Sequence, residues 1–375
     1  MSFYPGAQEI VIDEDVDNAL HSGALRERLQ NESLGEGTIT LIIRDPNITI
    51  IGDMNIEWYD REEAAPLHGC KSLLRVDLKG CTKLTQLGDY VFWECSSLTS
   101  VALPDGLTQV GDEVFSWCSS LTCVSFPDGL TQLGDWVFSD CSSLTSVSLP
   151  DGLTQLGNKV FEGCSSLTSV TLPDGLTQLG HFVFGECSSL TSVALPDGVT
   201  KLGDYVFTEC SSLTSVALPD GLTQLGNQVF GECSSLTSVA LPDGLTRLGW
   251  GVFYGCSSLT SVLLPDGLML REGVFDQCSS LTSAANSAGF SNVVPYLRNR
   301  YKCVTLRKLF LRLLRKYNQA VNEANGSEDE KHAIALARFP TDNSSSLDVG
   351  FFLQKMSASG GNGVQGLVGY ILKFV

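Results

Sequence analysis

The segment CSSLTSVALPDGLTQLGDYVF recurs down this chain in close variants. Cys95, Cys118, Cys141, Cys164, Cys187, Cys210, Cys233 and Cys256 each lie 23 residues from the next. A fixed period of this size marks stacked coils, in which no unit can bury its own apolar face and neighbours must share one core. The fold must be a solenoid. Function has to be sought in what differs from coil to coil.

Within a coil the apolar slots are fixed. Counted from Cys187 they are Leu190, Val193, Leu195, Val199, Leu202, Val206 and Phe207. Val-x-Leu alternates as a strand does, and predicts one short parallel strand per coil. Pro196-Asp197-Gly198 follows as a turn, with proline expected at its second position. Gly203 is expected to permit a tight corner. The Val-Phe-x-x-Cys stretch is read as one helical or 3₁₀ turn that plugs phenylalanine into the core. The cysteines form a ladder. Coil spacing of about 4.8 Å would tolerate disulfides, but buried reduced thiols are the expectation for a cytosolic chain. No C-x-x-C pair occurs, so there is no zinc signature.

The run Leu-Gly-x-x-Val-Phe-x-x-Cys-x-x-Leu-Thr-x-Val resembles the 23-residue, BspA-type leucine-rich repeat, over roughly residues 70–285. The resemblance implies an α/β fold, a right-handed leucine-rich-repeat solenoid with one short parallel strand per coil. It also implies protein–protein contact, surface adhesion in many members, and no enzyme activity. Residues 1–69 are read as an N-terminal segment with a degenerate capping coil. Residues 70–285 are the solenoid, and 286–375 a small helical C-terminal cap or appendage. In the capping coil, Ile48, Ile51 and Gly52 occupy the Leu, Leu and Gly slots. Asp15–Gln30 is read as a helix that closes the first coil. After Cys278 the core slots read Leu281, Ala284 and Asn286, so stacking should end there.

Charge is spread unevenly. Residues 1–69 carry net −10, residues 70–278 net −14, and residues 279–375 net +6. An acidic body argues against nucleic acid as partner. No run of 18 apolar residues exists, and the N-terminus lacks the basic start and apolar core of a secretory signal. A cytoplasmic chain with no transmembrane segment is therefore expected. Four N-x-S/T sequons, Asn31, Asn47, Asn325 and Asn343, would matter only on a secretory route.

Two pairs of slots flanking Val-Phe vary freely and fall outside the apolar pattern, so they should face water. They hold Tyr90, Trp93, Trp117, Trp136, Phe182, Tyr205, Trp250 and Tyr254, set among acids. Exposed aromatics are what protein-binding surfaces are made of, and these eight are the candidate partner-binding residues. Tyr90, Trp93, Trp117 and Trp136 would form a patch near the N-terminal end. The plain alternative is drift at solvent-exposed slots, with rings lying flat on the next coil. The expected partner is a protein with a basic or apolar surface.

Other signals are weaker. One Asp per coil, from Asp105 to Asp266, lies in Pro-Asp-Gly. It reads as turn chemistry rather than as calcium sites. Only His181 of four histidines lies in the regular coils, so no catalytic residue, metal site or cofactor is assigned. Gly361, Gly363 and Gly366 spell G-x-G-x-x-G without the strand a dinucleotide site needs, and read as a hinge. From Thr305 an amphipathic helix is expected, with Arg307, Lys308, Arg312, Arg315 and Lys316 on its polar face. It either packs on the last coil or binds an acidic membrane or a calmodulin-like protein. The overall reading is a non-catalytic interaction scaffold, with a cell-surface or secreted adhesin as the alternative.

Overall fold

Each coil closes on itself because its backbone finds partners in the coils on either side. The computed structural model describes residues 8–12, 39–52, 67–265, 267–271 and 273–300. The helices expected at Asp15–Gln30 and after Thr305, the hinge at 361–366 and Asp266 lie outside these residues.

The Ser-Val-Ala stretch makes the first wall. Ile39–Ile43, Leu73–Asp77, Ser100–Ala102, Cys123–Ser125 and Ser146–Ser148 pair in parallel, and Gln8–Ile12 adds a further strand on Ile39–Ile43. Ser192–Ala194 pairs with Ser215–Ala217, and Ser238–Ala240 with Ser261–Leu263. Register follows the repeat, as in Val147 opposite Val124. The central valine points inward and its two neighbours point to water, the alternation of a half-buried strand.

The return stretch is also β. Gln155–Leu156, Gln178–Leu179, Lys201–Leu202, Gln224–Leu225 and Arg247–Leu248 form a second parallel sheet. There are thus two short strands per coil, where one was expected. Ile50–Ile51 joins Gln86–Leu87 in the equivalent sheet upstream, with Ile48 and Ile51 buried as the capping coil requires. The Pro-Asp-Gly turn differs from expectation in phase. Val199 N–H donates to Pro196 C=O at 3.1 Å, so proline is the first turn residue, not the second. Gly203 is needed for close approach rather than for an unusual φ. A Cβ there would sit 2.5 Å from the Gly180 carbonyl oxygen of the coil before.

The Val-Phe wall is not a helical turn. Two residues per coil have left-handed backbone, for example Tyr205 (φ 62) and Glu209 (φ 59), and no right-handed helix passes through such residues. They flank Val206-Phe207 and make two tight turns, Thr208 N–H to Tyr205 C=O and Cys210 N–H to Phe207 C=O. Alternate N–H groups, those of Tyr205, Phe207 and Glu209, reach the next coil, as Phe207 does to Val229 C=O at 2.9 Å. Every coil repeats this, so left-handed corners form two columns along the solenoid.

Most corner residues are not glycine, although Gly163, Gly251 and Gly255 show that glycine fits. A non-glycine left-handed residue costs about 1–2 kcal/mol, partly offset by the freedom glycine loses on folding. Glu186→Gly (φ 60) is therefore expected to stabilise the array by about 0.5–1 kcal/mol, read as a higher urea midpoint. Gly163→Ala should lower it. A lower midpoint for Glu186→Gly would contradict the corner geometry.

The core is a column of rings. Phe92, Phe115, Phe138, Phe161, Phe184, Phe207, Phe230 and Phe253 are fully buried. Successive centroids lie 5.4 to 5.6 Å apart with planes within 10°. Beside it runs the thiol column. Cys210 Sγ donates to Phe184 C=O at 3.0 Å, and the same bond recurs from Cys118 to Cys278. All twelve described cysteines are free, and all but Cys123 are buried. Beyond Cys278 the pattern changes as Asn286 required. Ser279–Ser287 is an α-helix that keeps Leu281 buried but turns Ala285, not Ala284, inward. Residues 293–300 are helical.

Candidate functional site

The variable slots are the left-handed corners and the residues beside them, and they are less free than their variability suggests. In the first slot the side chain accepts the backbone N–H of the same slot one coil on. Asp89 accepts from Asp112, Asp112 from Asp135, Asp135 from Asn158 and Asn158 from His181, all at 2.7 to 2.9 Å. His181 Nδ1 accepts from Asp204, Asp204 from Asn227 and Asn227 from Trp250. This is a structural ladder of acceptors. His181 serves it with the tautomer that carries its proton on Nε2. The signal lay in the sequence, since six of these seven residues are Asp or Asn, but sorting by apolar pattern alone passed over it. Burial raises the Asp112 carboxyl above its ordinary value, with Asp89 and Asp135 adding to the rise against the N–H it accepts.

The second slot, the first corner, is a column of side chains lying on one another. Lys159 Nζ sits 3.8 Å from the Trp136 ring centroid and 4.9 Å from that of Phe182, and 3.2 Å from the Glu162 carboxylate. Phe182 stacks on Tyr205 with centroids 4.5 Å apart. Trp136, Phe182 and Tyr205 are half-buried, with ring faces turned to neighbouring coils. Lying flat on the next coil is the geometry of these three.

Tyr90 and Trp93 correct the expectation of exposure. They are 7% and 8% exposed. His68 stacks on Trp93 at 4.5 Å and Tyr90 meets it edge-on, while Gly69 N–H donates to Trp93 C=O. The degenerate coil upstream covers them because there the stack must be closed. The four-residue N-terminal patch is thus not a continuous exposed surface.

Two of the eight candidates are exposed, and Tyr254 beside one of them is half-buried. Trp117 (53% exposed) occupies the second left-handed corner, and Trp250 (46%) the acceptor slot of the last regular coil. Tyr254, half-buried, lies 6.3 Å from Trp250 with planes 27° apart. Around them the second corners carry exposed Glu186, Glu209 and Glu232. Among the described residues no cluster of three metal-ligating side chains is formed, and no helix is long and apolar enough to cross a membrane.

Residues 68–189 and 154–282, more than half the chain, match the BspA-type leucine-rich-repeat region in six copies. The chain belongs to the BspA-type leucine-rich-repeat family. Three solved bacterial structures are similar to this BspA-type chain. A leucine-rich repeat protein from Bacteroides ovatus is 23% identical, covering 62% of this chain and 81% of its own, with a TM-score of 0.36. A leucine-rich cell surface protein from Faecalibacterium prausnitzii is 22% identical, covering 72% and 81%, with a TM-score of 0.37. A leucine-rich repeat protein of T. pallidum is 25% identical, covering 63% and 81%, with a TM-score of 0.34. Comparison with curated proteins gives no significant match. For the BspA-type family as a whole, a repeat scaffold is the established architecture, and its members are generally non-catalytic.

Proposed function

We propose that this chain is a non-catalytic cytoplasmic scaffold that captures a protein partner through side chains on its variable corners. The observation that carries the reading is Trp117. It stands at a left-handed corner (φ 62) that Glu94, Asp140, Glu186, Glu209 and Glu232 fill with carboxylates and that Gly163 and Gly255 leave bare. Its ring stays 53% exposed, so burial within the fold returns little for the cost of that backbone. A local rule broken without structural gain points to function. The net −14 of residues 70–278 favours a partner with a basic or apolar surface. Eleven buried free thiols accord with a reducing compartment.

Trp117→Ser with Trp250→Ser tests this. Both rings are exposed, so melting should change by less than about 1 kcal/mol. Capture of the partner recovered with the intact chain should fall at least about 30-fold, as for loss of a 2 kcal/mol anchor. Undiminished capture would remove these rings from the binding surface. Cell fractionation with glycan analysis at Asn47 and Asn343 separates this reading from the adhesin one, since modification would place the chain on a secretory route.

A further inference from the structure

In mid-array the chain fills an aromatic and acidic niche with its own cation. The Lys159 ammonium lies over the Trp136 ring and pairs with Glu162. Aromatic face, carboxylate and ammonium together make a cation site whose ligand comes from the next coil.

The last regular coil repeats two of these parts and omits the third. Trp250 and Tyr254 present neighbouring rings, and Trp250 is one of the most exposed large side chains among the described residues. Both corners of this coil are glycine, Gly251 (φ 60) and Gly255 (φ 71), where most other coils project a side chain. Two carboxylates lie beside glycine corners here. Glu232 lies over Gly255, its carboxylate carbon 2.6 Å from where a Cβ would be. Asp276 Oδ2 and Trp250 Nε1 both lie within 3.3 Å of the position a Cβ would take on Gly273. Among the described residues neither carboxylate pairs with a cation.

We infer that this notch receives a cationic side chain, lysine or arginine, from a partner polypeptide. The ring of Trp250 takes the face of the cation and Asp276 and Glu232 take its charge. Half-buried Gly273, in the slot that Lys159 fills in mid-array, brings no side chain of its own to the place where Trp250 and Asp276 meet. The partner thus supplies what Lys159 supplies in mid-array. This inference rests on the scaffold reading and names the chemistry that one of its contacts recognises.

The test uses the full chain labelled with 5-fluorotryptophan, the Trp250 resonance being assigned by Trp250→Phe. The probes are acetyl-Gly-Arg-Gly-amide and acetyl-Gly-Lys-Gly-amide at low salt, with the citrulline and norleucine peptides as neutral counterparts. The charged peptides should shift the Trp250 resonance saturably while leaving Trp117 in place. Neutral peptides should bind at least about tenfold more weakly, and Glu232→Gln with Asp276→Asn should weaken the charged ones by a similar factor. Circular dichroism melting of that double variant checks that it is folded. A still Trp250 resonance, an equal response to citrulline, or an equal shift at Trp117 each overturns the inference. If those negative results come with partner capture that Trp250→Ser leaves intact and Trp117→Ser abolishes, the scaffold reading survives and the cation notch alone falls.

Discussion

Phe184→Ala is expected to destabilise the array by about 3–5 kcal/mol, the cost of emptying a ring-sized space in a core that cannot close over it. Phe184 is fully buried, with Phe161 and Phe207 stacked on its two faces at 5.5 Å. Each stacked pair adds about 0.5–1.5 kcal/mol beyond area burial, and the substitution removes two. The position of the loss matters as much as its size. A solenoid is held by nearest-neighbour contacts, so a weak link in the middle divides it into two cooperative blocks. Urea unfolding followed by hydrogen exchange should show coils on either side of Phe184 opening separately. Phe275→Ala, with one described stacking neighbour, should cost less. A loss at Phe184 below about 1 kcal/mol would mean that the rings do not form a continuous column.

Alkali should undo the fold over a narrow window. Ten described thiols are held above their ordinary value of 9.0, with burial as the leading cause. Cys81 is pushed up to about 11 and Cys278 to about 12, and the fully buried ones are raised further. The protonated thiol is the form that donates to a backbone carbonyl upstream, Ile43 for Cys81, Leu67 for Cys95 and a phenylalanine for the others, so the fold holds the proton. Below pH 9 both states are protonated and stability is full. Above it the unfolded chain releases protons that the folded chain keeps, so stability falls with rising pH until the folded thiols also ionise. One thiol contributes about 1.4 kcal/mol per pH unit, so ten give a slope on the order of 10 kcal/mol per unit. Urea midpoints between pH 8 and pH 10, with a phosphine reductant present, should drop steeply and recover on return to pH 8. Replacing mid-array cysteines by serine, which keeps a donor but does not ionise, should flatten the slope with each substitution. A flat profile would place the thiols in water.

The period told almost everything about the core because it reports which slots cannot change. Phe184, Cys187, Leu190 and Leu202 keep their types in nearly every coil, and all are buried as their slots required. The corners were harder to read. Tyr205 and Glu209 have left-handed backbone, yet residue type barely announces it, since glycine takes the same slots at Gly69, Gly163, Gly251, Gly255 and Gly273 and other residues fill most of the rest. Stacking sets that conformation: inter-coil hydrogen bonds such as Tyr205 N–H to Asn227 C=O hold it against local preference. The acceptor ladder from Asp89 to Asn227 was legible in composition but has no apolar period, so it looked like surface variation. Tyr90 takes the first corner and Trp93 the slot before the second, which is buried at Ser116, Ser139 and Thr208 as well, whereas Trp117 takes the second corner itself. Burial of the Tyr90 and Trp93 rings depends also on His68 and on where the stack ends, which the repeat itself does not encode. Gln8–Ile12 pairs on the capping coil although it lies outside any recognisable unit.

The central claim is that coils pile in register around one dry column of rings and thiols. Thiol accessibility measures it most directly. The native chain holds thirteen cysteines, of which eleven are buried and Cys123 is exposed among the described residues. Timed reaction of the native, fully reduced chain with a thiol-specific reagent at neutral pH, followed by peptide mapping, should label Cys123 promptly. The ladder from Cys95 to Cys278 should stay unmodified until denaturant is added. Prompt modification of Cys164, Cys187 or Cys210 in the native chain would contradict the stacked core.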